Sequence, residues 1–466
     1  MRRNIFLGDA AFGSAFAFVA GVFMEGIEWP ARIFVSAGAI AAIATSLHWP
    51  FLRRSFFIFF LAFLCGTLYC AHYRIARSTA LDLPFDVPSS FAAVIKEEPK
   101  PTEKGILLQA DLQTPHRGKL TLFVISGKYR YGDLISVSGT ISRSESGGGG
   151  IVFSPSLEKI AAHRGSIVRE SLIAFKERIL SVFVNALPEE QAALLGGITF
   201  GSKASFTKDL REAMARSGTT HLVAVSGYNI TVVIIAVGGV FGKLFSRRTT
   251  FALSVAFVVL FVLMVGTEAS AVRAAIMGGL ALLGRELGRK FNMRNAITFT
   301  AAGMSFADPL APAGDMSFIL SFLSLLGIVY VGPPIRAAIG GVQISGIFDW
   351  KENAITTISA QLAVLPALVH AFGRFSPVAI AANVMILATV PLTMFFGALL
   401  AIAGSFSPLF AFLPGKLTGI FLGYQLSMIR FFSSVAIPLP IAFNSAFFMA
   451  LYYAALLIFI IKHRDA

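Results

Sequence analysis

Long runs of apolar residues dominate this chain and are separated by short polar turns. Two of them, 249–266 and 442–461, approach the ~20 residues that a helix needs to cross a hydrocarbon core about 30 Å thick. Counting every such run predicts a polytopic α-helical membrane protein with about 12 spans. The composition agrees, because 56% of the residues are hydrophobic and only 14% are charged, which an ordinary soluble domain does not tolerate.

Basic residues cluster near the N-terminus, at 53–54, at 243–248, at 285–294 and at 462–464. Lys and Arg concentrate on the cytoplasmic side of membrane proteins, so these clusters predict that both termini are cytoplasmic and that the number of spans is even. The net charge of +14 fits either this bias or a polyanionic substrate. We therefore expect a multi-pass protein of the cytoplasmic (inner) membrane.

The pattern changes between the N-terminal transmembrane helices, assigned to 1–76, and the next apolar segments. Residues 77–163 hold short β-rich runs separated by Pro, Gly and charged turns, which predict an extracytoplasmic β domain. The runs are 94–95, 106–112, 120–125, 134–141 and 151–153. Five strands suit a small OB-like β-barrel, although a sandwich remains an alternative.

Residues 164–190 form a third segment, in which Val168, Leu172, Phe175, Ile179 and Phe183 recur at helical spacing while charged residues fill the other faces. This pattern predicts an amphipathic helix lying along the membrane interface. The remainder, 191–466, returns to apolar spans.

Patterns for nucleotide or metal chemistry are missing from the sequence. The Gly-Lys pairs at 242–243 and 415–416 are not followed by Ser or Thr, so there is no P-loop, and the seven histidines form no chelating pair. We expect no cofactor, no metal and no catalytic residues, and a channel or transporter rather than an enzyme.

Polar residues enter the apolar run near 216–240, where they must face protein or a water-filled cavity rather than lipid. His221, Ser226 and Asn229 are the candidates for lining a pathway. The alternative is that Ser226 and Asn229 only bond neighbouring helices.

Cations and further polar residues extend this candidate pathway. Arg273 lies within a span and offers a positive charge unless Glu268 pairs with it. Lys203, Arg211 and Arg216 add charge at the outer mouth. Gln361 and Asn383 are later polar intrusions, and Pro366 and Pro391 are expected to break their helices.

The order of these motifs resembles the ComEC family of competence proteins, over the chain from the first spans to about residue 400. The motifs in the first half of the matching region are Leu194-Leu195-Gly196-Gly197, Gly201-Ser202-Lys203, Ser217-Gly218, His221-Leu222-Val223-Ala224-Val225-Ser226-Gly227 and Ser270-x-x-Arg273-Ala274. Later ones are Asp308-Pro309, Ser321-Phe322, Gly327, Ala360-Gln361-Leu362-Ala363, Pro366 and Asn383. In the outer domain, Tyr131-Gly132-Asp133 and Gly139 are similar to the family's OB segment.

The resemblance implies that 191–466 is a channel domain through which single-stranded DNA enters the cell during natural transformation. It also implies an extracytoplasmic DNA receptor, a cytosolic ATPase motor, a separate nuclease and membrane lipid as partners. The expected version lacks the metallo-β-lactamase-like domain that many members carry after their spans. In the outer domain, Phe123, Tyr129 and Tyr131 are available for stacking of bases, as in OB folds.

A multispan transporter of another solute, without a DNA role, is the main alternative. Such a protein needs a compact site near the midplane and often repeated halves. No clear internal repeat is visible in the sequence.

Overall fold

The computed structural model describes residues 2–26, 50–78, 82–102, 105–143, 150–223, 225, 227–339, 350–373, 376–436 and 446–463. Contacts divide the chain into two units. Unit 1 comprises Met1–Ile173, Val233–Thr267 and Val272–Asp315, and unit 2 comprises Ala174–Val232, Glu268–Ala271 and Met316–Ala466. The four sequence segments proposed above stay predictions.

Most of the described residues are helical. The α-helices, in chain order, are α1 (Arg2–Gly26), α2 (Pro50–Ser78), α3 (Ile167–Ala186), α4 (Glu189–Phe200), α5 (Lys208–Ser217), α6 (Gly227–Phe241), α7 (Arg247–Val265), α8 (Ala269–Glu286), α9 (Met293–Ala307), α10 (Ala311–Gly314), α11 (Met316–Leu326), α12 (Gly332–Ile339), α13 (Trp350–Phe372), α14 (Ala379–Leu387), α15 (Val390–Phe406), α16 (Pro408–Val435) and α17 (Ala446–Lys462). A 3₁₀ turn (Thr220–Val223) precedes α6, and a π turn (Gly327–Val331) joins α11 to α12.

Four helical stretches among the described residues are long and apolar enough to cross a membrane. They are Phe57–Ala76, Arg247–Val265, Met316–Ala338 and Lys351–Ala371. A fifth is obtained if α14 and α15, which meet at a bend of 47°, count as one broken span. The largely helical class with several apolar helices is therefore confirmed, and the number of about 12 spans stays a prediction.

The two prolines that were expected to break helices differ in their effect. Pro391 occupies the first turn of α15, directly after the bend, where a missing N–H costs nothing. Pro366 instead lies inside α13, which runs without interruption from Trp350 to Phe372, so the predicted break there is wrong. A helix in a membrane tolerates such a proline when its neighbours satisfy the freed backbone groups.

The β domain lies within unit 1 and contains seven strands in its described residues. They are β1 (Pro88–Ile95), β2 (Lys100–Thr102), β3 (Gly105–Leu112), β4 (Lys119–Val124), β5 (Leu134–Arg143), β6 (Gly150–Phe153) and β7 (Ser156–Ala161). Five of them close a ring in the order β1-β3-β4-β6-β5-β1, while β2 and β7 pair outside it. All ring pairs are antiparallel except β4 with β6, which is parallel. The predicted small barrel is confirmed.

Alternation along the strands fills this barrel. Leu108, Leu122, Ile135, Ile141 and Val152 point inward and are fully buried, forming one core with the other buried residues of the ring. The neighbouring positions point outward. The barrel thus presents a defined outer face, on which one cross-strand row matters for the site described below.

Candidate functional site

The stretch from α4 to α6 is interrupted twice by glycine. Gly201 ends α4 and Gly218 ends α5, both in the left-handed conformation with φ of 70°, which glycine adopts without a steric cost. After Gly218 the chain makes the 3₁₀ turn at Thr220–Val223 and resumes an α-helix only at Gly227. We call the described residues among 218–227 the helix interruption.

Close packing holds the helix interruption against α4. A Cβ atom at Gly197 would lie 2.8 Å from side-chain atoms of both Phe206 and Val223, so a larger residue would push these side chains apart. Asn229, at the start of α6, is buried and donates its side-chain amide to the carbonyl of Ile198 at 2.8 Å. That carbonyl belongs to the last turn of α4, where helix carbonyls lack partners within the helix.

Helix α8 and the segment before α14 supply hydrogen bonds to the same region. Ser270, in the first turn of α8, donates its hydroxyl to the carbonyl of Val225 at 2.8 Å. Ser376, before α14, donates to the carbonyl of Arg216 at 2.6 Å. The motif residues Gly197 and Ser270 therefore contact Val223 and Val225 of the same segment, although 73 positions separate the two in sequence.

The start of α14 lies directly against Gly218. A Cβ atom at Gly218 would come within 2.4 Å of the Cβ of Ala379. One helical turn beyond Ala379, and on the same face, lies Asn383, which is 2% exposed. Its Oδ1 has no hydrogen-bond partner among the described residues, so Asn383 is a buried acceptor near the helix interruption.

Three of the predicted cations lie just before the helix interruption. Lys203 and Arg216 are exposed, and half-buried Arg211 donates to the carbonyl of Lys203 at 3.2 Å. Within the described chain none of these three forms an ion pair, whereas Lys208 on the same helix lies 3.8 Å from Glu212. Their charges are thus available to an anionic ligand.

The other predicted pathway residues are spread over the chain. His221 is exposed in the 3₁₀ turn, and Gln361 is half-buried in α13. Arg273 is half-buried on α8, three residues after Ser270, and its segment belongs to unit 1. Ser226 lies outside the described residues. The pathway role of these residues stays a prediction.

A polar cluster that the sequence reading missed lies at the bend between α14 and α15. Gln425 of α16 is fully buried and donates its amide to the hydroxyl oxygens of Thr389 and Thr393, at 3.0 and 2.8 Å. The two hydroxyls in turn donate to the carbonyls of Ile386 and Thr389. The sequence feature that could have predicted this cluster is the single amide of Gln425 within an otherwise apolar helical face. Such an amide indicates a hydrogen bond to a neighbouring helix.

The barrel carries its own candidate surface. Phe123 of β4 lies opposite Phe153 of β6, with ring centroids 6.3 Å apart, and Phe153 is 65% exposed. On the other side of Phe123, Leu107 of β3 lies opposite it, and Lys100 of β2 lies opposite Leu107. We call Lys100, Leu107, Phe123 and Phe153 the outer row. Phe153 was not among the predicted contacts.

The two predicted tyrosines make contacts within the barrel unit. Tyr129 packs against the barrel core. Tyr131 accepts a hydrogen bond from the backbone of Ser166 at 3.1 Å, and the guanidinium of Arg169 lies over its ring at 4.9 Å. Arg169 also donates to the carbonyl of Lys96, so Tyr131 helps to join the first turn of α3 to the barrel.

No group of three or more His, Cys, Asp or Glu side chains in the described part of the chain is placed to hold a metal ion.

Comparisons with known proteins agree with this arrangement of motifs. A family model described as Competence protein matches residues 198–465, from the last turn of α4 onward. ComE operon protein 3 of Bacillus subtilis (strain 168) is 24% identical over 248 residues, which cover 51% of this chain and 30% of that relative. No solved structure matches the chain. Because the family model covers more than half of the sequence, the chain belongs to the competence protein family, of the ComEC type.

Proposed function

We propose that this protein conducts single-stranded DNA across the cytoplasmic membrane during natural transformation. The observation that carries the proposal is the helix interruption, preceded by three cations that form no ion pair with any described residue. Non-helical backbone within an apolar helical region is stable only where protein covers it or where it borders a water-filled cavity. Membership of the competence family supports DNA as the cargo.

The charges favour a polyanion over a small neutral solute. A DNA strand carries one negative charge per nucleotide, and cations along its path lower the cost of removing it from bulk solvent. A conducting path also needs several weak contacts rather than one tight site. Lys203, Arg211 and Arg216, spread along α5 and the loop before it, suit that requirement, and a role for Arg273 stays a prediction from the sequence.

We further propose that the barrel is an OB-type domain that receives the strand. Counted in chain order, β4 and β6 are the third and fifth strands of the closed ring, and they are its parallel pair. This is the arrangement expected of an OB barrel. The outer row places two phenylalanines side by side for stacking with bases. Lys100 at the end of the row already forms an ion pair with Glu97 at 3.1 Å, so the proposed contact with the strand rests on the two rings. Phe123 is retained from the sequence prediction, and Phe153 is added.

The wider assignment follows from the family. We propose about 12 spans with both termini cytoplasmic, α3 at the outer interface of the membrane, delivery of DNA by an extracytoplasmic receptor, and traction by a cytosolic ATPase. A nuclease that degrades the complementary strand is proposed as a further partner. His221, Ser226, Gln361 and Asn383 are proposed to border the path.

An import assay tests the proposal. The gene is deleted and restored with wild type, with Lys203→Gln plus Arg216→Gln, or with Lys208→Gln, and DNase-protected labelled DNA is measured outside and inside the cytoplasm. We expect DNA to stay outside in the deletion, import to fall several-fold in the double variant, and Lys208→Gln to behave as wild type, because its charge is already paired. Normal import in the deletion would contradict the proposal and favour transport of another solute.

A further inference from the structure

Unit 2 contains a cavity of about 520 Å³ that none of the predicted pathway residues lines. It lies between the end of α3, the start of α4, the end of α15 and the first half of α16. Its lining residues are Val182, Asn185, Ala186, Leu187, Pro188, Gln191, Gly404, Pro408, Ala411, Phe412, Gly415, Lys416, Gly419 and Ile420. This volume is within the range of cavities that hold small molecules.

Glycines on α16 keep the floor of this cavity open. A Cβ atom added at Gly415 would lie 3.6 Å or more from its neighbours, which is an ordinary contact distance. The absence of a side chain at Gly415 therefore leaves open space on this face of α16. At Gly419 an added Cβ would lie 3.1 Å from the side-chain oxygen of Gln191. Gln191 therefore lies along the glycine face and brings an amide to an otherwise apolar floor.

The rim of the cavity combines one cation with exposed apolar side chains. Phe412, Lys416 and Ile420 succeed one another at intervals of four residues on one face of α16. Phe412 and Ile420 are each 66% exposed, and the Lys416 ammonium lies 5.7 Å from the centre of the Phe412 ring. An apolar surface of this kind with a lysine held above it suits the boundary between acyl chains and headgroups.

Charge selects among possible lipids. Lys416 is the one charged side chain among the lining residues, all of which belong to the described chain. The nearby carboxylate of Glu190 is already paired with Arg430. A phosphate group at Lys416 thus meets a cation, whereas the ammonium of a zwitterionic headgroup finds no acidic residue in the lining.

We propose that this cavity binds one phospholipid with an anionic headgroup, with an acyl chain along the apolar lining and the phosphate against Lys416. Asn185 and Gln191 supply amide groups for the glycerol and ester oxygens. The bound lipid fills the groove between α3, α15 and α16, and this site is separate from the proposed DNA path.

Native mass spectrometry of the purified full chain, with phosphatidylglycerol or phosphatidylcholine of identical acyl chains, tests the proposal. We expect the wild type to retain one phosphatidylglycerol about tenfold more tightly than phosphatidylcholine, the effect of one charge-assisted contact. Lys416→Ala should abolish this preference, and Lys416→Glu should weaken phosphatidylglycerol further. Lys462→Ala, which removes the same charge at the end of α17, should leave the preference intact.

A second variant separates the cavity from other lipid contacts. Val182→Phe places a ring in the cavity and should lower the retention of both lipids, while Lys416→Ala, which needs no repacking, keeps the test independent of how Val182→Phe folds. Equal binding of the two lipids to wild type, or a preference that survives Lys416→Ala, would overturn the proposal. So would competition by inorganic phosphate alone, or a dimer peak that Val182→Phe removes, since the occupant would then be a free anion or a second copy.

Discussion

The side-chain amide of Gln425 donates a hydrogen bond to the hydroxyl oxygen of Thr393 across 2.8 Å, with both side chains fully buried. This bond joins α16 to the first turn of α15, next to the 47° bend. Because each threonine hydroxyl donates to a backbone carbonyl, its oxygen is free to accept from Gln425. The direction of every bond in the cluster is thus fixed, and the cluster holds the bent pair against α16.

Gln425→Leu should therefore lower the free energy of unfolding by about 1 kcal/mol or less, since two hydrogen bonds are lost but the buried Oε1, which has no partner among the described residues, is removed as well. A double-mutant cycle with Thr393→Val, measured by denaturant titration of the purified protein, should give a coupling of roughly 0.5 to 1.5 kcal/mol. Ser427→Ala, an exposed position two residues away whose hydroxyl bonds only its own helix, is the matched control. A coupling near zero would mean that the bend is held by packing alone.

Gly218 is expected to tolerate no side chain. Alanine there must adopt a φ of 70° and bring its Cβ within 2.4 Å of the Cβ of Ala379, so Gly218→Ala should destabilise the protein by about 2 kcal/mol or more. Gly238→Ala, in the helical part of α6 where an added Cβ meets nothing within 4 Å, should be neutral or stabilise by about 0.5 to 1 kcal/mol. Thermal unfolding of both variants checks this difference in stability. Equal stability of the two variants would mean that α14 moves aside to accommodate the new side chain at residue 218.

Asn229 is expected to act on import through the structure of the segment. Its amide satisfies the Ile198 carbonyl at the end of α4, which is what the packing interpretation expects of it. Asn229→Ala should cost about 1 to 2 kcal/mol of stability, and Asn229→Asp should cost more because it sets a carboxylate against that carbonyl. DNA import, measured per folded protein molecule, distinguishes a structural role of Asn229 from a role in the DNA path. If import falls more than the amount of folded protein does, Asn229 belongs to the DNA path.

The barrel shows what the sequence could and could not predict. All five runs of apolar and β-branched residues are strands, because alternation reports directly which face is buried. The two strands that were missed, Lys100–Thr102 and Ser156–Ala161, lie outside the closed ring and carry charged residues or proline. Strands that bury little have no strong hydrophobic pattern, so their pairing is visible only in three dimensions.

The candidate site also has features that the sequence predicted and features that it did not. Polar residues within apolar runs, such as Asn229 and Asn383, were found because burial of an amide demands an explanation. Their partners were not found, since the bonds from Asn229 to Ile198 and from Gln425 to Thr393 depend on how the helices pack. Phe153 was missed for another reason: its importance comes from lying opposite Phe123 in a parallel pair, which no local pattern reveals.

The outer row of the barrel gives the last prediction. If bases stack on Phe123 and Phe153, each change to alanine should weaken the binding of a labelled oligothymidine to the purified full chain by about 1 kcal/mol or more, or at least fivefold. Ile160→Ala, at a position 56% exposed on β7 and outside the row, should have no effect. Lys100→Gln should leave the dependence of affinity on salt nearly unchanged, because this lysine is already ion-paired with Glu97 at 3.1 Å, whereas a lost phosphate contact would flatten the slope by about 0.7 on single strands. If Tyr131→Ala weakens binding while both phenylalanine variants bind normally, the strand contacts the barrel near α3 instead, and the outer row is part of another interface.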